Sequence, residues 1–406
     1  MDNQNKPMRI GIITGEYPPM EGGVGDFTHE LGKALHALGH NVHVLTTSVK
    51  DMPEMYRDHE ITIYRQIKHW GSGVHNRITH WIQTIQPDVV NLQYQAAAYQ
   101  MNGNITLYPR LQRRHLTMPF VVTCHDLLPP YLFPKAGRLR SWTVRQLTQH
   151  SNGVIVTNYG DETTMSHQLE NTGTPLRFIP IGSNIAPEPP MGYTPARWRA
   201  SHDFGAGELL IGFFGFLNRS KGIETLLYAI ANLVQKNLPV HLLFIGGRTG
   251  SSDVTNLMYA DEVDRLIAQL NLTDRVRRTG FVSPEAVSAA LLAVDVCALP
   301  YRTGASLWRG TLHAALVHGC PIVTTTPQDN TPQLCHGENV ILVPPDDVAA
   351  LTDAICRLWE NPQLRARLGK AAAALAQQFT WEHIATQTVG FFSWLNGPQA
   401  ESRAQD

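Results

Sequence analysis

Two cations inside a glycine-bracketed turn are the residues of this chain best suited to chemistry. Residues 215–222 read GFLNRSKG, so Arg219 and Lys221 lie between Gly215 and Gly222. The apolar run 209–214 precedes the turn, and the helical spacing of Ile223, Leu226, Leu227 and Ile230 follows it. A strand, a turn and a helix start in that order aim backbone N–H groups at an anion, which the two cations neutralise. No Walker sequence is present, so the cradle is not a P-loop. An ordinary strand-to-helix loop with solvated cations has the same outline, and the loop alone does not separate the two.

Three further stretches place polar groups at strand ends. The opening, MRIGIITGEYPPMEGGVGDFTHELGKALHALGHNVHVLTT, runs strand, proline-containing loop, glycines 22, 23 and 25, long helix, strand. Those glycines allow close backbone approach at the positive end of a helix dipole. VVTCHDLLPP at 121–130 sets His125 at the end of an apolar run, where a histidine is either structural or placed to act. The stretch 295–325, DVCALPYRTGASLWRGTLHAALVHGCPIVTT, reads strand, loop, helix, small-residue turn, strand. Gln93 and Tyr94 follow the run 88–92 and either cap a buried strand or face a ligand.

The elements that must position these groups alternate regularly. Apolar runs at 8–14, 41–46, 88–92, 119–123 and 153–157 read as buried strands, with amphipathic stretches between them. In 24–38, Val24, Phe27, Leu31, Ala34, Leu35 and Leu38 share one helical face. Residues 186–206 are rich in Pro and Gly without a period and read as a linker after a first domain, 1–185. A second alternating series, 207–380, has strands expected at 209–214, 240–245, 276–280, 294–299, 321–325 and 340–343. Residues 346–396 read as three helices, the last following FTWEHIA, and 397–406 as a frayed tail. The implied class is α/β: two doubly wound parallel sheets, with ligands at the carboxyl ends of the strands in a cleft between them.

Composition narrows the partners. The chain has 406 residues, 43% apolar and 17% charged, with a net charge of −1, which gives no sign of nucleic-acid binding. Five scattered cysteines form no C-x-x-C pair, as expected of reduced thiols in a cytosolic protein, and no metal cluster is evident. No apolar stretch reaches the length of a membrane span. The basic runs 110–115 and 135–145 are solvated helix faces or points of weak contact with an anionic membrane surface.

Taken together, the four stretches resemble the retaining, nucleotide-sugar-dependent glycosyltransferases of family 4, from about residue 8 to residue 396. The resemblance implies the GT-B architecture, two Rossmann-like domains, with the last helix crossing back onto the first. Lys221 and Gly222 match the family's G-R-L-x-x-x-K-G, while Phe216 fills its arginine slot. The resemblance assigns Lys221, Arg219 and His125 to catalysis. It assigns Gly23, Gly215, Ser306, Gly310 and Thr311 to the donor and its diphosphate, and Arg309, in the same loop, is a candidate to reach the diphosphate as well. Gly280, Phe281 and Val282 would lie against the nucleobase, and Gly22, Gln93 and Tyr94 near the acceptor.

The chain departs from the family at the donor loop. Two glutamates eight positions apart are usual there, and alignment on HGCPIV puts their slots at Ser306 and Ala314. An alanine accepts no hydrogen bond from a ribose hydroxyl, so Arg309 and Trp308 are the residues placed to compensate. The usual G-D-G is Gly246, Gly247, Arg248. The implied activity is transfer of a sugar from a nucleoside diphosphate to an acceptor hydroxyl, without metal or other cofactor. The acceptor would be a glycan or lipid-linked molecule in surface-polysaccharide assembly, at the inner face of a membrane if the contact is peripheral. A GT-B protein that binds a nucleotide sugar without transferring it is the alternative. An epimerase or a phosphorylase would need carboxylates or a pyridoxal lysine in patterns not found here.

Overall fold

The apolar runs rich in Val, Ile and Leu fold as strands at the centre of two separate sheets. A computed structural model describes residues 6–112, 114–130, 137–247 and 254–397. One unit holds the chain up to Gly182 together with the stretch from Trp381, and the other is Ser183–Thr380.

The first unit contains β1 (Arg9–Thr14), α1 (Gly23–Ala37), β2 (Asn41–Thr47), β3 (Met55–Asp58) and β4 (Ile61–Ile67). It continues with α2 (Val74–Ile85), β5 (Val89–Tyr94), α3 (Asn104–Gln112), β6 (Phe120–Cys124), α4 (Arg138–Gln149), β7 (Gly153–Val156), α5 (Tyr159–Leu169) and β8 (Leu176–Phe178). The sheet order is β3-β4-β2-β1-β5-β6-β7-β8. Successive residues of a strand face opposite ways, so each strand serves both faces. Ile12, Val44 and Ile63 join Phe27, Leu31 and Leu35 of α1. Ile13, Leu45 and Val90 join Ile78, Trp81 and Ile82 of α2.

Two parts of this sheet differ from the sequence reading. β3 and β4 form an antiparallel hairpin, so the sheet is mixed at one edge. Its turn is His59–Glu60, with φ of 45° and 67°. Two positive φ values make a primed turn, and here they occur without the Asn-Gly pair that signals one. The short edge strand β8 is only partly buried and therefore lacks an apolar run.

The second unit contains α6 (Pro195–Ser201), β9 (Leu209–Phe214), α7 (Ile223–Gln235), β10 (Val240–Ile245), α8 (Val254–Gln269), β11 (Val276–Arg278) and α9 (Pro284–Ala293). It continues with β12 (Val296–Leu299), α10 (Gly310–Val317), β13 (Ile322–Thr325), β14 (Ile341–Val343), α11 (Val348–Glu360) and α12 (Pro362–Ala376). α13 (Trp381–Leu395) then belongs to the first unit, where Ile384, Ala385 and Phe392 join the α1 face of the core. Burying a side chain the size of Phe392 contributes ~1.5–3 kcal/mol.

Residues 186–206 are not a free linker. Thr194 caps α6 and Pro195 opens it, a start signal inside a proline-rich stretch. Arg199 of α6 pairs with Asp295 at 2.7 Å and Phe204 is buried, so the segment is part of the second unit. The boundary falls earlier, between Gly182 and Ser183.

The second sheet is wholly parallel, in the order β11-β10-β9-β12-β13-β14. β9 and β12 are neighbours, but β10 lies outward of β9 and β13 outward of β12. Connections that leave in opposite directions open a crevice at the carboxyl ends of β9 and β12, the place where such sheets bind ligands.

Candidate active site

Both connections at that crevice are glycine turns followed by helices. After β9 the backbone turns at Gly215, with φ of 128°. Asn218 Oδ1 then accepts the Ser220 N–H at 3.1 Å and starts a single 3-10 turn, Arg219–Lys221. Gly222 ends the turn in the left-handed region at φ 68°. A Cβ there would stand 1.9 Å from the Pro300 carbonyl oxygen. Glycine at 222 thus lets the loop after β9 press on the residue that follows β12, which fixes the position of Lys221.

Lys221 and Arg309 meet over one aromatic ring. The Lys221 Nζ lies 5.1 Å and the Arg309 guanidinium carbon 4.2 Å from the ring centre of Tyr301. Tyr301 is fully buried, and its hydroxyl lies 2.6 Å from Thr311 Oγ1 at the start of α10. A Cβ on Gly215 would lie 3.0 Å from the Thr311 methyl, so both loops reach the same spot. The ring offers a cation–π surface to each charge. Among the described residues no carboxylate pairs with Lys221 or Arg309. Arg309 donates to Thr303 Oγ1 at 2.7 Å, while its buried Nε has no partner. Burial, with the neighbouring Arg309 charge, pushes the Lys221 ammonium down to about 8. Gly310 and Thr311 are the first residues of α10, so their N–H groups have no intrahelical acceptor.

The rest of the second unit's site residues line the same sheet end. Gly246 bridges to Gly280, and its N–H donates to Thr279 Oγ1 at 3.0 Å. Phe281 is 79% exposed, which leaves its ring free for stacking. Arg248 lies outside the described residues. Ser306 is half-buried and its carbonyl accepts the Arg309 N–H at 3.2 Å; Ala314 is buried inside α10.

Arg219 goes elsewhere. It pairs with Glu262 at 2.5 Å and lies over the Tyr259 ring at 5.1 Å, contacts that it shares with neither Lys221 nor Arg309. Two residues apart on a 3-10 turn, Arg219 and Lys221 project from different sides, and Arg309 is the second cation of the cluster.

In the first unit, Gln93 and Tyr94 are fully buried. The Tyr94 hydroxyl donates to the Leu128 carbonyl at 3.3 Å, and the Gln93 amide donates to Asn91 and lies 2.9 Å from His125 Nε2. β5 is covered on both faces, so these side chains orient the strand end and do not present themselves to an acceptor. His125 packs edge-on against Phe27, with ring centres 4.6 Å apart, and burial pushes its pKa down to about 3, leaving it neutral. Gly22 precedes α1, and Gly23 has open space where a Cβ would be.

Sequence reasoning missed two residues. Tyr301, at the end of an apolar run, looks like core. Glu16 occupies the start of α1, where its Oε1 accepts the N–H groups of Val24 and Gly25 at 3.0 and 3.2 Å. The signal for Glu16 was a carboxylate at a strand end facing a glycine-opened helix.

Residues 21–184 match the model for Glycosyltransferase Family 4, and residues 208–361 match Glycosyl transferases group 1. The chain belongs to glycosyltransferase family 4. A D-inositol 3-phosphate glycosyltransferase of Corynebacterium urealyticum is 29% identical over 269 residues, 64% of this family-4 chain and 61% of that protein. The match to this relative spans about three-fifths of its length. A phosphatidyl-myo-inositol mannosyltransferase of Mycobacterium leprae is 25% identical over 94% of this chain and 96% of its own. Among solved structures, a sucrose-phosphate synthase from Thermosynechococcus elongatus superposes with a TM-score of 0.75 at 22% identity, covering 96% of this chain and 99% of that one. Anabaena HepE, solved with UDP and glucose, gives 0.71 at 19% identity, covering 96% and 100%. The fold of this family-4 chain is GT-B.

Proposed function

We propose that the chain transfers a sugar from a nucleoside-diphosphate sugar to an acceptor hydroxyl with retention of configuration. The observation that carries this reading is the pair Lys221 and Arg309 over Tyr301, two cations without a carboxylate partner among the described residues, beside the N–H groups of Gly310 and Thr311. That charge arrangement suits a diphosphate. The acceptor oxygen attacks the anomeric carbon on the face the diphosphate leaves, and the bond from that carbon to the β-phosphate oxygen breaks. The acceptor's proton passes to the departing phosphate. Lys221, Arg309 and the α10 amides stabilise the negative charge that grows there, the largest usual contribution to such a reaction. Two preorganised cations take the place of a divalent ion, so the reaction needs no metal. The base lies against Gly280, Phe281 and Val282, with Phe281 as its stacking surface. His125 stays neutral: Gln93 Oε1 accepts its Nε2–H, so Nδ1 carries no proton and can only accept a hydrogen bond, for instance from a substrate hydroxyl.

The acceptor is a glycan or a lipid-linked molecule. α3 and α4 carry exposed Leu111, Leu139 and Trp142 beside Arg110, Arg138, Arg140 and Arg145, a combination suited to the surface of an anionic membrane. Arg113 and Lys135 of the two basic runs lie outside the described residues. Among the described residues no helix is long and apolar enough to cross a membrane.

Thermal-shift titration with UDP, GDP, ADP and their common sugars tests the donor site. One nucleotide is expected to raise the Tm of the wild type and not of Lys221→Ala, and transfer assays then use its sugars. A shift that survives Lys221→Ala would remove the diphosphate from this turn.

A further inference from the structure

The edge hairpin of the first unit gathers two histidines and a carboxylate at a place that no role above uses. His29 stands on α1, Asp58 ends β3, and His59 begins the turn to β4. His29 Nε2 lies 3.4 Å from Asp58 Oδ2, and His59 Nε2 lies 3.8 Å from Asp58 Oδ1. One ligand atom from each residue falls within 4.8 Å of the other two, and among the described residues no other group of three His, Cys, Asp or Glu does so.

These separations fit a metal. Two donor atoms each ~2.0–2.1 Å from a tetrahedral ion stand ~3.4 Å apart, which is the separation of His29 Nε2 and Asp58 Oδ2. His59 is 65% exposed, so its ring is free to turn and close the third edge. The surroundings already hold the ligands. Glu30 Oε1 lies 3.1 Å from His29 Nδ1 and is bonded in turn by Lys33 Nζ at 3.1 Å, which leaves Nε2 facing Asp58. The Tyr17 hydroxyl donates to Asp58 Oδ2 at 3.2 Å. A carboxylate behind a ligating histidine fixes its tautomer and orientation in known metal sites. A plain ion pair would need one imidazole; here two flank the same carboxylate, with ring centres 5.8 Å apart.

We propose that His29, Asp58 and His59 bind a divalent transition-metal ion, zinc foremost, with water in the fourth position. Two imidazoles and one carboxylate suit zinc, nickel or cobalt and are too few and too nitrogen-rich for calcium or magnesium. The ion would clamp α1 to the edge hairpin.

Isothermal titration of the untagged full-length chain with zinc chloride, paired with cobalt titration followed by visible absorption, tests this. The expected result is one saturable site per chain, a rise in Tm with zinc, and cobalt bands typical of four-coordinate nitrogen and oxygen ligation. His59→Asn tolerates the left-handed backbone and should weaken binding by ~10-fold or more, in line with the loss of a supporting group at a metal centre; Asp58→Asn should do the same. Circular dichroism and metal-free melting of each variant establish that it folds. Absence of saturable binding by the wild type would overturn the proposal. So would zinc binding that both variants retain undiminished, since it would then belong to other groups such as Cys335 or Cys356.

Discussion

Each unit opens a helix with a glycine beside a strand end, yet the two handle the positive charge there in opposite ways. At α1 the chain supplies its own anion. The Glu16 carboxylate takes the N–H groups of Val24 and Gly25, and a Cβ on Gly22 would stand 2.1 Å from its Oε1. Burial raises the Glu16 pKa, and the two backbone bonds pull it back. At α10 the chain brings cations instead: Lys221 and Arg309 each lie against the Tyr301 ring, and the positions aligned with the family's two glutamates hold Ser306 and Ala314. A glycine-opened helix therefore does not by itself mark where an anion binds. The charge already present around it does, and of these two helix starts it favours an incoming anion at α10 and not at α1.

The strongest way to break this contrast is to delete the cations. Lys221→Ala and Arg309→Ala should each lower the transfer rate by ~10²-fold or more, the usual cost of losing a preorganised donor at a developing charge. Arg219→Ala should cost less than ~5-fold, because an exposed ion pair such as Arg219–Glu262 is worth ~1 kcal/mol at most. Rate constants with saturating donor, measured beside melting temperatures, separate catalysis from folding. Equal damage from Arg219→Ala and Arg309→Ala would show that the second cation has been misassigned.

Titration gives a smaller and sharper test. The Lys221 pKa is depressed to about 8, first by burial and then by Arg309. Below that pH the ammonium is charged and attracts a diphosphate; above it the charge is lost. Nucleotide affinity should hold steady up to pH 8 and then fall, by as much as ~10-fold per pH unit. Lys221→Ala should abolish the dependence. Arg309→Ala removes a repelling charge, so in that variant the decline should begin at higher pH. A wild-type profile that stays flat from pH 7 to pH 10 would mean that Lys221 does not hold the ligand.

Much of this was legible in the sequence, because buried parallel strands are nearly continuous apolar runs: β9 and β10 coincide with the runs 209–214 and 240–245. What was not legible had a physical reason in each case. β4 alternates buried and half-buried residues around a turn without Asn or Gly, and α6 starts inside a proline-rich stretch that resembles a linker. The glycines and Lys221 were readable because their roles rest on chain order along a strand, turn and helix. Direction was not readable: Arg219 and Lys221 are two residues apart, and only the 3-10 turn decides which one meets Arg309. Tyr301 meets Lys221 from a loop distant in sequence, and spacing carries no trace of that; Glu16 stands only eight and nine residues before the N–H groups it accepts, and its signal, a carboxylate ahead of a glycine-opened helix, was there to be read.

The smallest expected effect tests the other half of the contrast. Glu16→Ala leaves the N–H groups of Val24 and Gly25 without an acceptor and the positive end of α1 without a counter-charge. That should cost ~1–3 kcal/mol, seen as a Tm lower by several degrees. Glu16→Gln keeps an acceptor oxygen and should lose less, by the share that belongs to charge. In a Lys221→Ala background, where the second unit's site is already weakened, sulfate at matched ionic strength should stabilise Glu16→Ala more than it stabilises its Glu16 parent. Sulfate would then be taking the place of the carboxylate. If sulfate treats the two alike, the α1 amides are not a latent anion site, and Glu16 fills space without neutralising charge. The contrast between the units would then rest on the cations of the second unit alone.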